Sequence, residues 1–274
     1  MELLTFENGR KIPMVGLGVF KSENGMETEN AVKWALDSGY THIDTAMIYK
    51  NEQSVGKAIK ESGKKREDLF ITTKIWTDDI RSGNTRKALE TSLKNLDMDY
   101  VDLYLIHWAV EGYEQTWKNL EKLYEEGLIK TIGVSNFHQV HFEKLLSNCN
   151  IVPFVNQIES HPKLANRELI SYCQNKKIAI QAWSPLGGGR TAKEMLQSSV
   201  LIDIGKKYGK TPAQVIIRWN IQRNVIVLPK SVHQDRIIQN IDVFDFVLSS
   251  EDMEAIFAMD INARVGTNPE NVPF

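Results

Sequence analysis

Seven short apolar runs recur along this chain, each closing on a residue that can bond or stack against a ligand. They are Thr41 to Asp44, Leu69 to Lys74, Val101 to His107, Thr131 to Asn136, Phe154 to Gln157, Ile178 to Trp183 and Val225 to Lys230. From Asp44 the closing residues follow after 30, 33, 29, 21, 26 and 47 positions, and a βα unit takes roughly 30 residues. On this count only the last gap has room for an extra helix. A parallel barrel gathers its loops at the carboxyl ends of its strands, so polar groups at strand ends converge there from distant parts of the sequence. The expected fold is therefore α/β, a parallel (β/α)8 TIM barrel, with an N-terminal β-hairpin and extra helices near the C-terminal half.

The hairpin is read from Leu3 to Phe6 and Lys11 to Ile12. These flank Asn8-Gly9, a pair that tolerates the positive φ of a tight turn. Such a hairpin can plug the bottom of the barrel, with Val15 to Gly18 as the first barrel strand. A helix from about Met26 stops before Gly39, which suits a C-cap. Val55, Ala58 and Ile59 precede Gly63, while Ala88, Leu89, Leu93 and Leu96 form a three-and-four-spaced stripe. Trp117, Leu120 and Tyr124 form another before Gly127, and these stripes should face the sheet. Thr211-Pro212 opens a helix through about Arg223, and Ser249 with Asp252 caps a terminal helix through about Met259. No linker or low-complexity tract divides the chain, so 1–274 is expected to form one domain.

With 274 residues, 42% hydrophobic and 25% charged, the composition is that of an ordinary soluble globular chain. A net charge of −2 and a pI near 6.3 argue against a dominant nucleic-acid or anionic-membrane surface. The segment MELLTFENGRKIP lacks the basic stretch and apolar core of a signal peptide, and no apolar run reaches membrane-spanning length. A cytoplasmic protein is expected. Cys149 and Cys173 have no metal-ligand spacing and suggest no disulfide framework, so both are expected to be buried or inert.

Asp44, Tyr49, Lys74 and His107 sit at or just past the ends of three of the runs, which points to a single catalytic pocket. Each alone has a plainer reading: a surface tyrosine, a core histidine, a structural ion pair. Phe20, Trp76 and Trp108 are expected to line a substrate mouth, a role that an aromatic rim shares with simple packing.

Eight segments, in order, resemble the aldo-keto reductase family: GLGVF at Gly16 to Phe20, DTAMIYKNE at Asp44 to Glu52, TTKIW at Thr72 to Trp76, YLIHW at Tyr104 to Trp108, GVSNF at Gly133 to Phe137, NQIESHP at Asn156 to Pro162, WSPLG at Trp183 to Gly187 and LPKS at Leu228 to Ser231. The resemblance implies a barrel that binds NADPH in an extended pose without a Rossmann domain. Consistently, Gly16-Leu17-Gly18 and Gly187-Gly188-Gly189 lack the spacing of a dinucleotide fingerprint. It also implies roles. Tyr49 would donate the proton to a carbonyl oxygen, Lys74 would make that phenol more acidic, Asp44 would hold Lys74, and His107 would hydrogen-bond the carbonyl oxygen. No metal is expected.

For the cofactor the resemblance implies Ser135, Asn136 and Gln157 on the nicotinamide carboxamide and Trp183 against its ring. Gly18, Val19, Phe20, Asp44, Ser184 and Leu186 are further expected cofactor contacts. Lys230, Ser231 and Arg236 would take the 2′-phosphate and Asn240 the adenine, with Val232 a further cofactor contact. Trp183 stands where tyrosine is frequent, which resembles the microbial diketogluconate reductases, and Gln239 stands where many members have glutamate. The substrate contacts implied are Phe20, Trp76, His107 and Trp108. Ala109 replaces a frequent proline, and the segments after His107 and Asn262 are short, so an open pocket of broad specificity is expected. The resulting expectation is a monomeric NADPH-dependent reductase of aldehydes, dicarbonyls or small ketones. A cofactor-binding regulatory subunit and a metal-free barrel lyase or isomerase remain as alternatives.

Overall fold

The computed structural model describes residues 1–274. Strands β1 (Leu3–Thr5) and β2 (Lys11–Pro13) pair antiparallel, forming the hairpin. The barrel strands are β3 (Leu17–Gly18), β4 (His42–Asp44), β5 (Phe70–Ile75), β6 (Leu103–Ile106), β7 (Ile132–Ser135), β8 (Val155–Glu159), β9 (Ala179–Trp183) and β10 (Val225–Leu228). They lie side by side in sequence order and all pairs are parallel. The ring is sealed between its first and last members by a parallel bridge from Val15 to Val227. Every residue of β4, β5, β6, β7, β8 and β10 is buried, as expected of parallel strands covered on both faces.

The hairpin closes the amino end of the barrel. Phe6 packs at 6.4 Å from Phe70 and 6.3 Å from Phe154, ring centre to ring centre. These are residues at or beside the starts of β5 and β8, so the plug leaves the carboxyl ends free for chemistry.

The helices follow the apolar stripes. Met26–Asp37 ends just before Gly39, which has φ 91°. Val55, Ala58 and Ile59 are buried in Glu52–Glu61, and Ala88, Leu89 and Leu96 in Thr85–Leu96. Trp117 and Leu120 of Tyr113–Glu125 are fully buried, and the Trp117 indole donates to the Ile151 carbonyl at 3.0 Å. Truncating Trp117 to alanine would cost about 3 to 5 kcal/mol. Thr211 and Gln214 form a reciprocal capping box at the start of Pro212–Gln222, and Ser249 Oγ accepts from Asp252 N–H at the start of Ser250–Phe257.

The extra helices expected near the C-terminal half are present, and the last gap holds more than the one extra helix its length suggested. Three helices, Gly189–Leu196, Ser199–Tyr208 and Pro212–Gln222, lie between β9 and β10. A short helix, Thr77–Arg81, also follows β5. Helices of five to ten residues span few turns and write only short apolar stripes, so the count from spacing alone fell short. Cys173 is buried, with its thiol pushed by burial up to about 12. Cys149 is half-buried, and burial raises its pKa as well.

Candidate active site

Strand ends bring the four singled-out residues together. Lys74, near the end of β5, is fully buried, and its Nζ lies 2.6 Å from Asp44 Oδ1, at the end of β4. The same ammonium donates to the Thr45 carbonyl at 2.8 Å and to Tyr49 Oη at 3.4 Å. Tyr49 ends a 3₁₀ turn after β4. Its ring meets the His107 ring edge-on, with centroids 5.8 Å apart. One cation thus spans a carboxylate and a phenol beneath an imidazole.

The electrostatics differ in one respect from the sequence-based expectation. Tyr49 is raised, not lowered, from 10.0. Burial is the largest influence and disfavours phenolate; the Lys74 charge opposes it, and the Asp44 charge adds to it. The phenol therefore holds its proton at neutral pH. Burial also acts on Lys74, but the Asp44 carboxylate and Tyr49 outweigh it and keep the ammonium charged. Burial raises Asp44; with an ammonium at 2.6 Å and an amide donor on its other oxygen, we take the pair as ionised. His107 lies well below its ordinary value because it is buried and faces the Lys74 charge, so its ring is neutral.

Above these groups opens a cavity of about 650 Å³. Phe20, Trp76, His107 and Trp108, the expected substrate contacts, all line it. So do Gly18, Asp44, Ser135, Asn136, Gln157, Trp183, Ser184, Leu186 and Lys230 among the expected cofactor contacts. Trp183 Nε1 donates to Asn136 Oδ1 at 2.9 Å, which sets the indole plane. Asn136 also donates to the His107 carbonyl and to Ser135 Oγ, both at 3.1 Å. Asn136 and Ser184 adopt positive φ of 62° and 47°. Such backbone is held only where surroundings dictate it, and it clusters at ligand sites.

Five expected cofactor contacts lie outside the cavity walls. Val19 is fully buried behind them. Ser231, Val232, Arg236 and Asn240 follow β10, around the start and far end of Gln234–Ile241. Lys230 and Arg236 are exposed there and neither forms an ion pair with a carboxylate, while Asn240 is buried.

The pocket is also less open than its short flanking segments suggested. Val265, Gly266, Thr267 and Phe274 line it, because the tail is latched across the mouth. Glu159 Oε1 accepts the Val265 N–H at 2.6 Å and Oε2 the Gly266 N–H at 3.0 Å. His161 Nε2 lies 3.0 Å from Glu159 Oε1. Gly266 in turn lies so close that a Cβ there would sit 2.3 Å from the Trp183 ring. Further along, Glu270 pairs with His138 at 2.7 Å, and the Phe274 carbonyl accepts from Arg81 at 2.6 Å. The sequence reading missed Glu159 and His161. Their signal was present, since Gln157, Glu159 and His161 are polar at every second position and share one face of a strand end.

A parallel β/α barrel with this cluster at its carboxyl face defines an oxidoreductase, and the chain belongs to the aldo-keto reductases. The Aldo/keto reductase family model matches residues 14–261. The chain is 50% identical to glyoxal reductase of Bacillus subtilis (strain 168), over all of this chain and 98% of that one. It is 43% identical to methylglyoxal reductase DkgA of Escherichia coli (strain K12), over 98% and 97%. Among solved structures, MGS-M4, an aldo-keto reductase from a Medee basin deep-sea metagenome library, superposes with a TM-score of 0.96 at 45% identity, covering 99% of this chain and 100% of that one. No helix is long and apolar enough to cross a membrane.

The family generally uses nicotinamide cofactors, and the residues present fit one. Gln157 Oε1 takes no protein partner although the residue lines the cavity. Trp183 offers an aromatic face beside it; Lys230, just past the neighbouring strand β10, and Arg236, in the helix that follows, stand without carboxylate partners.

Proposed function

We propose that the chain reduces aldehydes, dicarbonyls or small ketones to alcohols with NADPH, with Tyr49 as the proton donor. The observation that carries this reading is the single Lys74 ammonium, 2.6 Å from Asp44 and 3.4 Å from Tyr49, under a neutral His107. When bound, NADPH supplies the hydride for the carbonyl carbon.

The residues of the chain supply the rest. As the carbonyl oxygen gains negative charge, neutral His107 can donate a hydrogen bond to it and Tyr49 a proton. Burial keeps the phenol protonated until that charge develops. Once the proton leaves, the phenolate faces Lys74, so the ion pair acts after transfer and not by ionising Tyr49 beforehand. Trp76, Trp108 and Phe20 exclude water from a small carbonyl. Gln157, Ser135 and Asn136 are the candidate carboxamide partners, Trp183 the candidate stacking face, and Lys230, Ser231, Val232, Arg236 and Asn240 the candidate phosphate and adenine partners. Charge-assisted bonds from an arginine suit a 2′-phosphate.

The relatives named as glyoxal and methylglyoxal reductases support small dicarbonyls as the substrate class. The reading carries with it a cytoplasmic monomer of one domain, which fractionation and size-exclusion chromatography check. The deciding experiment follows NADPH absorbance with glyoxal, methylglyoxal and aromatic aldehydes. Consumption of NADPH with alcohol formation is expected. Tight NADPH binding without turnover of any carbonyl would favour a regulatory subunit instead.

A further inference from the structure

Beneath the mouth, one line of buried polar side chains crosses the barrel interior: Asp44, Gln157, Gln181 and His42. Gln157 Nε2 donates to Asp44 Oδ2 at 2.7 Å and to Gln181 Oε1 at 2.8 Å. Gln181 Nε2 lies 3.3 Å from His42 Nε2, and His42 Nδ1 lies 3.3 Å from the Pro13 carbonyl oxygen. Thr72 Oγ1 approaches His42 Nε2 at 3.4 Å. Gly16 makes room for the ring, since a Cβ there would sit 2.5 Å from His42 Nδ1.

The two ends of this line dictate the direction of every bond between them. A carbonyl oxygen only accepts, so His42 Nδ1 carries the proton. Burial, opposed by the Pro13 hydrogen bond and assisted by the Lys74 charge, lowers the His42 pKa to about 3. The ring is neutral, and its Nε2 is an acceptor. Gln181 must then turn its NH₂ toward His42 and its oxygen toward Gln157. At the other end, the ionised Asp44 carboxylate also only accepts. Both N–H groups of Gln157 are thereby directed inward, and its oxygen is left for the cavity.

We propose that His42 and Gln181 are positioning residues that hold the Gln157 amide with its oxygen toward the cavity, so that the site selects a ligand group offering an N–H donor there. The proposal rests on the nicotinamide reading above. A carboxamide on the ring offers that N–H; an acetyl group in the same place does not. Neither His42 nor Gln181 lines the cavity, so each acts only through Gln157.

The test compares NADP⁺ with its acetylpyridine analogue, titrated by tryptophan fluorescence into the parent protein and the near-isosteric Gln181→Met variant. The parent should prefer NADP⁺, and the variant should lose about two- to tenfold of that preference, the worth of one hydrogen bond. A purely structural role would weaken both dinucleotides alike. An unchanged ratio therefore overturns the proposal while leaving the functional reading intact. A parent protein that binds neither dinucleotide takes the ligand half of the proposal down with that reading. A second measurement needs no variant. Nitrogen NMR of the ligand-free parent should show His42 as the neutral Nδ1–H tautomer between about pH 5 and pH 8. An Nε2–H tautomer or an imidazolium in that range overturns the proposed bond directions.

Discussion

Phe274 stacks on Trp76 with ring centroids 5.3 Å apart and planes 21° apart, and it meets Trp108 edge-on at 5.5 Å. The tail thereby supplies part of the aromatic wall of the cavity. Aromatic contacts contribute about 0.5 to 1.5 kcal/mol beyond area. In Phe274→Ala, KM for aromatic aldehydes should rise about two- to twelvefold, while kcat/KM for glyoxal changes little. Equal losses for both substrates would mean that the ring organises the catalytic cluster itself.

Tyr49→Phe should keep cofactor affinity and lose turnover by about 10²- to 10⁴-fold, the usual contribution of a positioned acid. Because Tyr49 is raised from 10.0, its proton is present throughout the neutral range. Reduction should show no loss attributable to this group until the pH exceeds that ordinary value. A variant within about threefold of the parent would exclude Tyr49 as the acid.

In Lys74→Met, the phenolate left by proton transfer loses its cation and the buried Asp44 carboxylate loses its counterion. Reduction should fall sharply, and stability should fall by about 3 to 5 kcal/mol, as expected when one member of a buried pair is removed. Steady-state kinetics and a denaturant melt measure the two effects. A folded variant with the parent rate and pH profile would contradict the coupling of Lys74 to Tyr49.

Arg236→Ala should weaken NADPH binding by roughly tenfold to 150-fold and NADH binding much less, because only NADPH carries the 2′-phosphate. Fluorescence titration of both cofactors distinguishes the outcomes. Equal losses would place Arg236 elsewhere on the dinucleotide, and no loss would return it to the solvated surface.

Burial pushes the Glu159 carboxyl up, but His161 and the Val265 and Gly266 N–H groups outweigh it and leave the pKa below 4.5. With the folded value depressed, the stability from this latch is fully present above about pH 4.5 and is lost as the pH falls through the lowered value. Amide exchange at Val265 and Gly266 should therefore accelerate in acid. Glu159→Gln should speed it at neutral pH by about tenfold to 150-fold, the range for hydrogen bonds to a charged group. Unchanged exchange would show that Arg81 and His138 hold the tail alone.

What was legible in the sequence follows from which forces leave a local mark. Strand ends are written by apolar runs, so Asp44, Lys74 and His107 could be placed at the mouth from spacing. Tyr49 lies five residues beyond Asp44 and came with them. The Glu159 latch, the Gly266 contact with Trp183 and the line from His42 to Gln181 join residues roughly 80 to 140 positions apart, or tie a strand end to a distant tail. No periodicity records such pairs. The direction of the Tyr49 shift was also hidden, because it depends on how much water the fold removes and not on which cation stands nearby.

The seam of the barrel has a consequence for how the chain assembles. Three backbone hydrogen bonds close it: Gly16 N–H to Val227 O at 2.9 Å, Val227 N–H to Met14 O at 2.8 Å and Gly18 N–H to Pro229 O at 3.2 Å. Each joins residues more than 200 positions apart, and pairings of such separation are the slow ones in folding. During synthesis the seam cannot form until residues 227–229 have emerged. Until then the nascent sheet carries two bare edges, the state in which strands of different chains can pair. The first barrel strand, only two residues long, keeps one of those edges short while the chain waits for its last partner.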